Sequence, residues 1–177
     1  MPAQAQYGAT AKWLHWLITA LLVVQFVVGP LMPNVPRYSA PGELMNFHMS
    51  IGAVVLALIV LRLAWRLGHP VAADPGLKAW QRIASQATHW LLYALVLAST
   101  FTGWSYASMR GWTITLFGTV PLPAIFVQGS PLGRTIGRLH ETLVWVLAAV
   151  VVLHVLAALI HMVVYRDRIM QRMLPAR

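Results

Sequence analysis

The most constraining feature of this chain is how little charge interrupts its apolar stretches. From Tyr165 back to Thr142 there is no charged residue. Trp13–Met32 and Ile83–Met109 also carry none, and Phe47–Trp65 carries only Arg62. A helix rises 1.5 Å per residue and satisfies its own backbone hydrogen bonds, so roughly 20 such residues cross the ~30 Å hydrocarbon core of a bilayer. Charged residues make up 10% of the sequence, against about 25% in a soluble domain. Too few remain to cover a water-facing surface. The expectation is an all-α, integral membrane four-helix transmembrane bundle, a single domain over residues 1–177.

Four spans follow: Trp13–Met32, Phe47–Trp65, one within Ile83–Met109, and Glu141–Tyr165. Pro33, Pro36 and Pro41 mark the first connection, and Pro70 with Asp74-Pro75-Gly76 mark the second. Proline and glycine at this density break helices. The first run follows Lys12 alone, contains His15 and Gln25, and lacks a small-residue cleavage pattern, so it reads as a retained span rather than a signal peptide. Gly111–Gly133 is uncharged and long enough to cross, yet Pro121, Pro123, Pro131, Gly118 and Gly129 predict an irregular loop on the surface.

Charge decides between four spans and five. Four place Lys12, Arg62, Arg66, Lys78, Arg82, Arg166, Arg168, Arg172 and Arg177 on one side, and Arg37, Arg110, Arg134 and Arg138 on the other. Cytoplasmic loops carry the excess of Lys and Arg. Both termini are therefore expected on the cytoplasmic side, with the chain multi-pass. The net charge of +9 is that of basic membrane loops, not of a nucleic-acid binder. With no cysteine, disulfides, thiolate-held iron–sulfur clusters and covalent c-type haem are excluded.

Six of the seven histidines, all but His69, fall in or at the ends of spans. An ionisable ring in hydrocarbon is costly and by default functional. His48 and His140 open spans at the outer face, whereas His15 and His89 open spans at the inner face. His154 follows His140 by 14 residues, about 21 Å deeper and within about 40° of the same direction. Haem iron takes two axial nitrogens at one depth. The outer pair is then His48 with His140. The inner pair draws on His15, His89, His154 and His161, and His15 with His154 keeps the group in the hydrocarbon. Gly52, Ala157 and Ala158 offer room beside these rings, although small residues also serve close helix packing. A divalent-cation transporter would add carboxylates or thiols, and no acid is central in a span.

The strings His15-Trp16-Leu17, His48-x-Ser50-x-Gly52, Leu61-Arg62-Leu63-x-Trp65-Arg66 and His89-x-Leu91-x-Tyr93 resemble the bacterial cytochrome b561 family. So do Thr102-Gly103-Trp104, His140-Glu141, Leu153-His154-Val155, Ala158-Leu159-x-His161 and the segment from Arg166-Asp167 to Arg172-Met173-Leu174-Pro175. The resemblance covers nearly the whole chain. It implies two haem b groups, with His15 and His154 on the inner one and His48 and His140 on the outer one, and so selects His154 over His161. It also implies electron carriage between a periplasmic donor and the quinone pool; one branch is a superoxide oxidase that reduces ubiquinone.

On that footing Arg37, Arg110 and Arg134 would steer superoxide, or another anionic one-electron donor, to the outer face, since clustered positive charge raises encounter rates. Arg138, two residues before a ligand, is a propionate candidate. His89 and His161 are quinone candidates, because imidazole hydrogen-bonds a carbonyl and titrates near neutrality; a propionate contact for His89 and an interfacial ring for His161 are the alternatives. Arg62 and Arg66 read as inner-face snorkels. The expected partners are lipid, quinone and the donor, with no obligate protein partner. A different class remains: a haem-bearing anchor for a dehydrogenase or hydrogenase subunit, disfavoured by short outer loops.

Overall fold

The computed structural model describes residues 7–36, 39–71, 76–167 and 169–174. Arg37, Asp74-Pro75, Arg168, Pro175 and Arg177 lie outside the described residues.

Four long helices make the body: α1 (Ala9–Leu31), α2 (Glu43–Gly68), α3 (Ala79–Met109) and α4 (Gly133–Ile160). A π-helical turn (His161–Tyr165) and a 3₁₀ turn (Met170–Arg172) follow α4. The helices alternate in direction, α2 packing on α1, α3 on α2 and α4 on α3. Trp16 Nε1 donates to Met173 O at 2.9 Å and the Arg172 guanidinium lies 5.5 Å from the Tyr7 ring. The first and last described residues therefore share one end of the bundle, here the terminal end.

Local sequence sets the ends. Glu43 in the first turn of α2 complements the helix dipole. Gln81 Oε1 accepts the Lys78 backbone N–H at 2.9 Å, satisfying one of the donors orphaned where α3 begins. Pro30 falls in the last turn of α1, where the chain leaves as extended backbone at Met32. α2 and α4 start four and eight residues ahead of the expected spans. Hydropathy marks the lipid-facing part of a helix, not its hydrogen-bonded length.

Three helical segments, Ala9–Leu31, Glu43–Gly68 and Gly133–Tyr165, are long and apolar enough to cross a membrane. α3 is the longest helix, at 31 residues, but is more polar. Its hydroxyls are spent on its own backbone: Thr100 Oγ1 donates to Val96 O (2.8 Å), Thr102 Oγ1 to Ala98 O (2.7 Å) and Ser105 Oγ to Phe101 O (2.7 Å). Bonds of this kind let Ser and Thr face a low-dielectric interior without an orphaned polar atom. The main core gathers Ile18 of α1, Val55 and Ile59 of α2, Leu95 and Val96 of α3 and Leu147 of α4. Trp13, Val23, Val27, Val60, Trp145, Leu153 and Val163 point outward, exposed. That surface suits lipid.

The segment expected as an irregular surface loop is more ordered than its prolines suggest. Strands β1 (Thr115–Leu116) and β2 (Val120–Pro121) pair antiparallel around a turn with Phe117 and Gly118 at φ 47° and 74°. Ser50 Oγ lies 2.9 Å from Thr115 O and accepts the Phe117 N–H at 3.2 Å, mooring the hairpin to α2. Trp112 and Ile114 are buried with Met49 and Ala107. The apolar residues of this segment pack down onto the bundle and form a cap over one end, here the hairpin end.

Candidate functional site

At the hairpin end His48 of α2 and His140 of α4 face each other with ring centroids 6.4 Å apart. Two metal–nitrogen bonds of roughly 2 Å, plus about 1.1 Å from each nitrogen to its ring centre, give about 6.2 Å for imidazoles sharing one metal. The observed spacing fits. His140 Nδ1 lies 2.8 Å from Ser99 O, to which it donates, leaving Nε2 as the free lone pair. Such a bond fixes the tautomer and aim of a ligating histidine. His48 Nδ1 is buried without a hydrogen-bond partner among the described residues. A buried polar atom left that way costs about 1–3 kcal/mol, so a group from outside the chain is the natural partner for this imidazole.

Two glycines shape this end, and sequence reasoning gave neither a structural role. A Cβ on Gly103 would lie 3.0 Å from His140 Cε1, and one on Gly137 would lie 2.8 Å from Tyr106 Cε2. The absent side chains let α3 and α4 close on each other with the His140 ring between them. Gly52, read as space for a macrocycle, instead faces Gln25, whose Nε2 would be 3.3 Å from an added Cβ and donates to His48 O at 3.0 Å. The Gln25 side chain of α1 thus holds the backbone of His48 and not its ring. Ala157 and Ala158 lie in the last turn of α4, at the terminal end, exposed and half-buried.

At the terminal end three imidazoles gather rather than two. His15 lies six residues after the start of α1 and His154 six before the end of α4. Both are within electrostatic reach of each other and of His89 on α3. The His89 and His154 rings are in edge contact, centroids 5.3 Å apart, about an ångström closer than a shared metal needs. His89 is therefore a neighbour of His154 in contact range, and His15, which makes its own edge contact with Trp16, is the ring still to be paired. Arg62, six residues before the end of α2, reaches the same group.

The remaining candidates divide. His161 Nδ1 donates to Asp167 Oδ2 at 2.5 Å, and Asp167 Oδ1 accepts the Ile169 N–H at 3.2 Å. Asp167 as a partner was missed, because the contact exists only where the helix widens to a π turn and Arg166 turns left-handed (φ 51°). π-helical turns recur at functional sites. Arg110 is a clamp for the outer loops: its Nη2 donates to Val35 O (3.1 Å) and Pro36 O (2.6 Å), its Nη1 to Tyr106 Oη (3.1 Å), and it sits 4.3 Å over the Trp112 ring. Its charge stays at the hairpin end, but its Nη donors are engaged by loop carbonyls and Tyr106, while Nε is buried without a partner among the described residues. Arg134 and Arg138, one turn apart on α4, are exposed. His69 stacks on Trp65 at 3.9 Å, outside either cluster.

The sequence profile of prokaryotic cytochrome b561 matches residues 6–176. The chain belongs to that family. This cytochrome is 28% identical to cytochrome b561 homolog 2 of Escherichia coli (strain K12), over 96% of its own length and 91% of that protein's. It is 27% identical to the probable superoxide oxidase CybB of Yersinia pestis, with 97% of each chain covered. Cytochrome b561 homolog 1 of Escherichia coli (strain K12) is 27% identical over 97% of this chain and 98% of the relative. Membership, with three helices able to cross a bilayer, makes this a prokaryotic membrane protein of electron transfer that binds haem b.

Proposed function

We propose that this cytochrome spans the inner membrane four times with both termini in the cytoplasm, takes single electrons from superoxide at the periplasmic face, and reduces ubiquinone. The facing of His48 and His140 across 6.4 Å carries the reading. These two imidazoles hold an outer haem b, and His15 with His154 hold an inner one. When bound, the two groups supply one-electron couples at two depths of the membrane. The name of the Yersinia pestis relative, a probable superoxide oxidase, favours superoxide as the donor. The imbalance of positive charge, heavier at the terminal end, supports the orientation.

The chain's own residues then have distinct tasks. Arg134 and Arg138, exposed beside the outer pair, concentrate a small anion at the hairpin end, and the charges of Arg110 and Arg37 add to that field. Arg138, two residues from His140, also suits an outer propionate. The hairpin with Trp112 and Ile114 shields the outer pair from water. Ser99 O keeps His140 in one tautomer. At the terminal end His161, oriented by Asp167, donates a hydrogen bond and then a proton to a quinone carbonyl oxygen, with His89 lining the approach. Two superoxide anions lose one electron each and become dioxygen; one ubiquinone gains both electrons, takes two protons from the cytoplasmic side and becomes ubiquinol.

The test uses the purified chain alone, given superoxide and a soluble ubiquinone. Ubiquinol formed in the ratio of one per two superoxide supports the reading. A preparation with its haem intact that reduces no quinone refutes the oxidase and leaves an electron carrier served by a partner subunit.

A further inference from the structure

At the terminal end a cavity of about 320 Å³ lies against Arg62, whose guanidinium is within electrostatic reach of His15, His89 and His154. Its walls include Arg62, Trp65 and Arg66 of α2, Trp90 and Tyr93 of α3, and Tyr7 ahead of α1. Arg62 and Arg66 are one helical turn apart, so they present two guanidinium groups to one space. Arg66 is held over the Trp90 and Tyr93 rings at 5.5 and 5.6 Å. Arg62 donates from Nη1 to Ala11 O at 2.7 Å, which leaves its other donors for the cavity.

Neither cation is neutralised by the described chain. Among the described residues the sole ion pair is His161 with Asp167, and no carboxylate lines the cavity. Of the four acids, Glu43 and Glu141 belong to the hairpin half, Asp167 is engaged by His161, and Asp74 lies outside the described residues. Arg62 lies as many residues from the end of α2 as His154 from the end of α4, so its charge is at the level of the inner histidines. A half-buried guanidinium at membrane depth without a counter-ion is costly. Its planar fork of donors matches a carboxylate or phosphate.

We infer that Arg62 and Arg66 form an oxyanion seat for the propionate carboxylates of the inner haem, making these residues part of that group's binding site and a control on its potential. The inference rests on the two-haem reading above. Arg62 contributes a charge near the iron and Arg66 a second point of attachment, braced by aromatic faces. Nearby positive charge favours the reduced state, which carries one unit less positive charge, so this seat raises the inner potential.

The test is a redox titration of the purified holoprotein with resonance Raman spectra, comparing wild type with Arg66→Gln, Arg66→Lys and Arg62→Lys. Arg66→Gln is expected to lower one midpoint potential, leave the other unchanged, and move the propionate bending band of a single haem. Arg66→Lys, keeping the charge but losing the fork, moves that band with a smaller change in potential. Loss of one haem in Arg66→Gln, with its retention in Arg66→Lys, gives the same support. Two haems with both potentials and the propionate bands unchanged in all three variants overturn the seat while leaving the two-haem reading standing, as happens if lipid phosphate fills the cavity. Wild-type protein with a single haem sinks both.

Discussion

Replacing Gly103 by alanine places a methyl group against the His140 ring. The added Cβ would meet Cε1 at 3.0 Å and Nδ1 at 3.2 Å, while non-bonded carbon contacts are comfortable at about 3.5–4.0 Å. The ring must then retreat by roughly half an ångström or more. It is held to the same helix by the 2.8 Å bond from Nδ1 to Ser99 O, one turn before Gly103, so retreat from α3 lengthens or breaks that bond. Overpacking of this kind costs about 1–3 kcal/mol, and the lost hydrogen bond adds about 0.5–1.5 kcal/mol. Disturbing the partner that orients a metal-bound histidine commonly weakens the metal about 10–100-fold. The expected result is selective: haem quantified as the pyridine haemochrome falls from two per chain toward one, and only the His48–His140 centre changes potential. Gly103→Ala with both haems at full occupancy, unchanged potentials and unchanged low-spin spectra would refute the claim that Gly103 is fixed by the ring.

Removal of the ligands should separate the two centres: His48→Ala and His154→Ala each leave one haem per chain. At the terminal end, His15→Ala is expected to lose the inner haem and His89→Ala to keep it; the reverse result reassigns the axial ligand to His89. The substitution Arg134→Gln should lower the rate with superoxide and flatten its dependence on ionic strength, while the rate with an uncharged reductant is unchanged. Asp167→Asn should slow quinone reduction and leave haem content and reduction by superoxide as they are, which stopped-flow spectra at the haem bands would separate. These outcomes are checked on protein of verified haem content, so that loss of a ligand is not mistaken for loss of a step.

What the sequence conveyed well was depth. Membrane helices have a fixed rise, so the position of each histidine along its apolar run gave its level, and the structure brings His48 to His140 and gathers His15, His89 and His154. It conveyed direction less well. His15 and His89 are both candidates by depth, and only the packing of α3 on α4 brings His89 into edge contact with His154. The clamp at Arg110 was illegible for a similar reason: its acceptors at Val35 and Pro36 are carbonyls of a loop whose path no periodicity encodes.

α3 differs from the other long helices in how much of it is buried. Of α4, only Leu147 is buried among the described residues. α3 packs on both α2 and α4 and has ten buried residues, among them Ser99, Thr102, Ser105 and Ser108. A helix with protein on both sides has its environment set by its neighbours, and its hydroxyls are satisfied by its own carbonyls one turn back. Low hydropathy is tolerable on such a buried face, because a hydroxyl there is answered within the helix, as Ser99 Oγ is by Val96 O at 3.1 Å. The acceptor that orients His140 is also backbone, the carbonyl oxygen of Ser99, so α3 aims that ring through its close packing on α4 and not through its polar side chains.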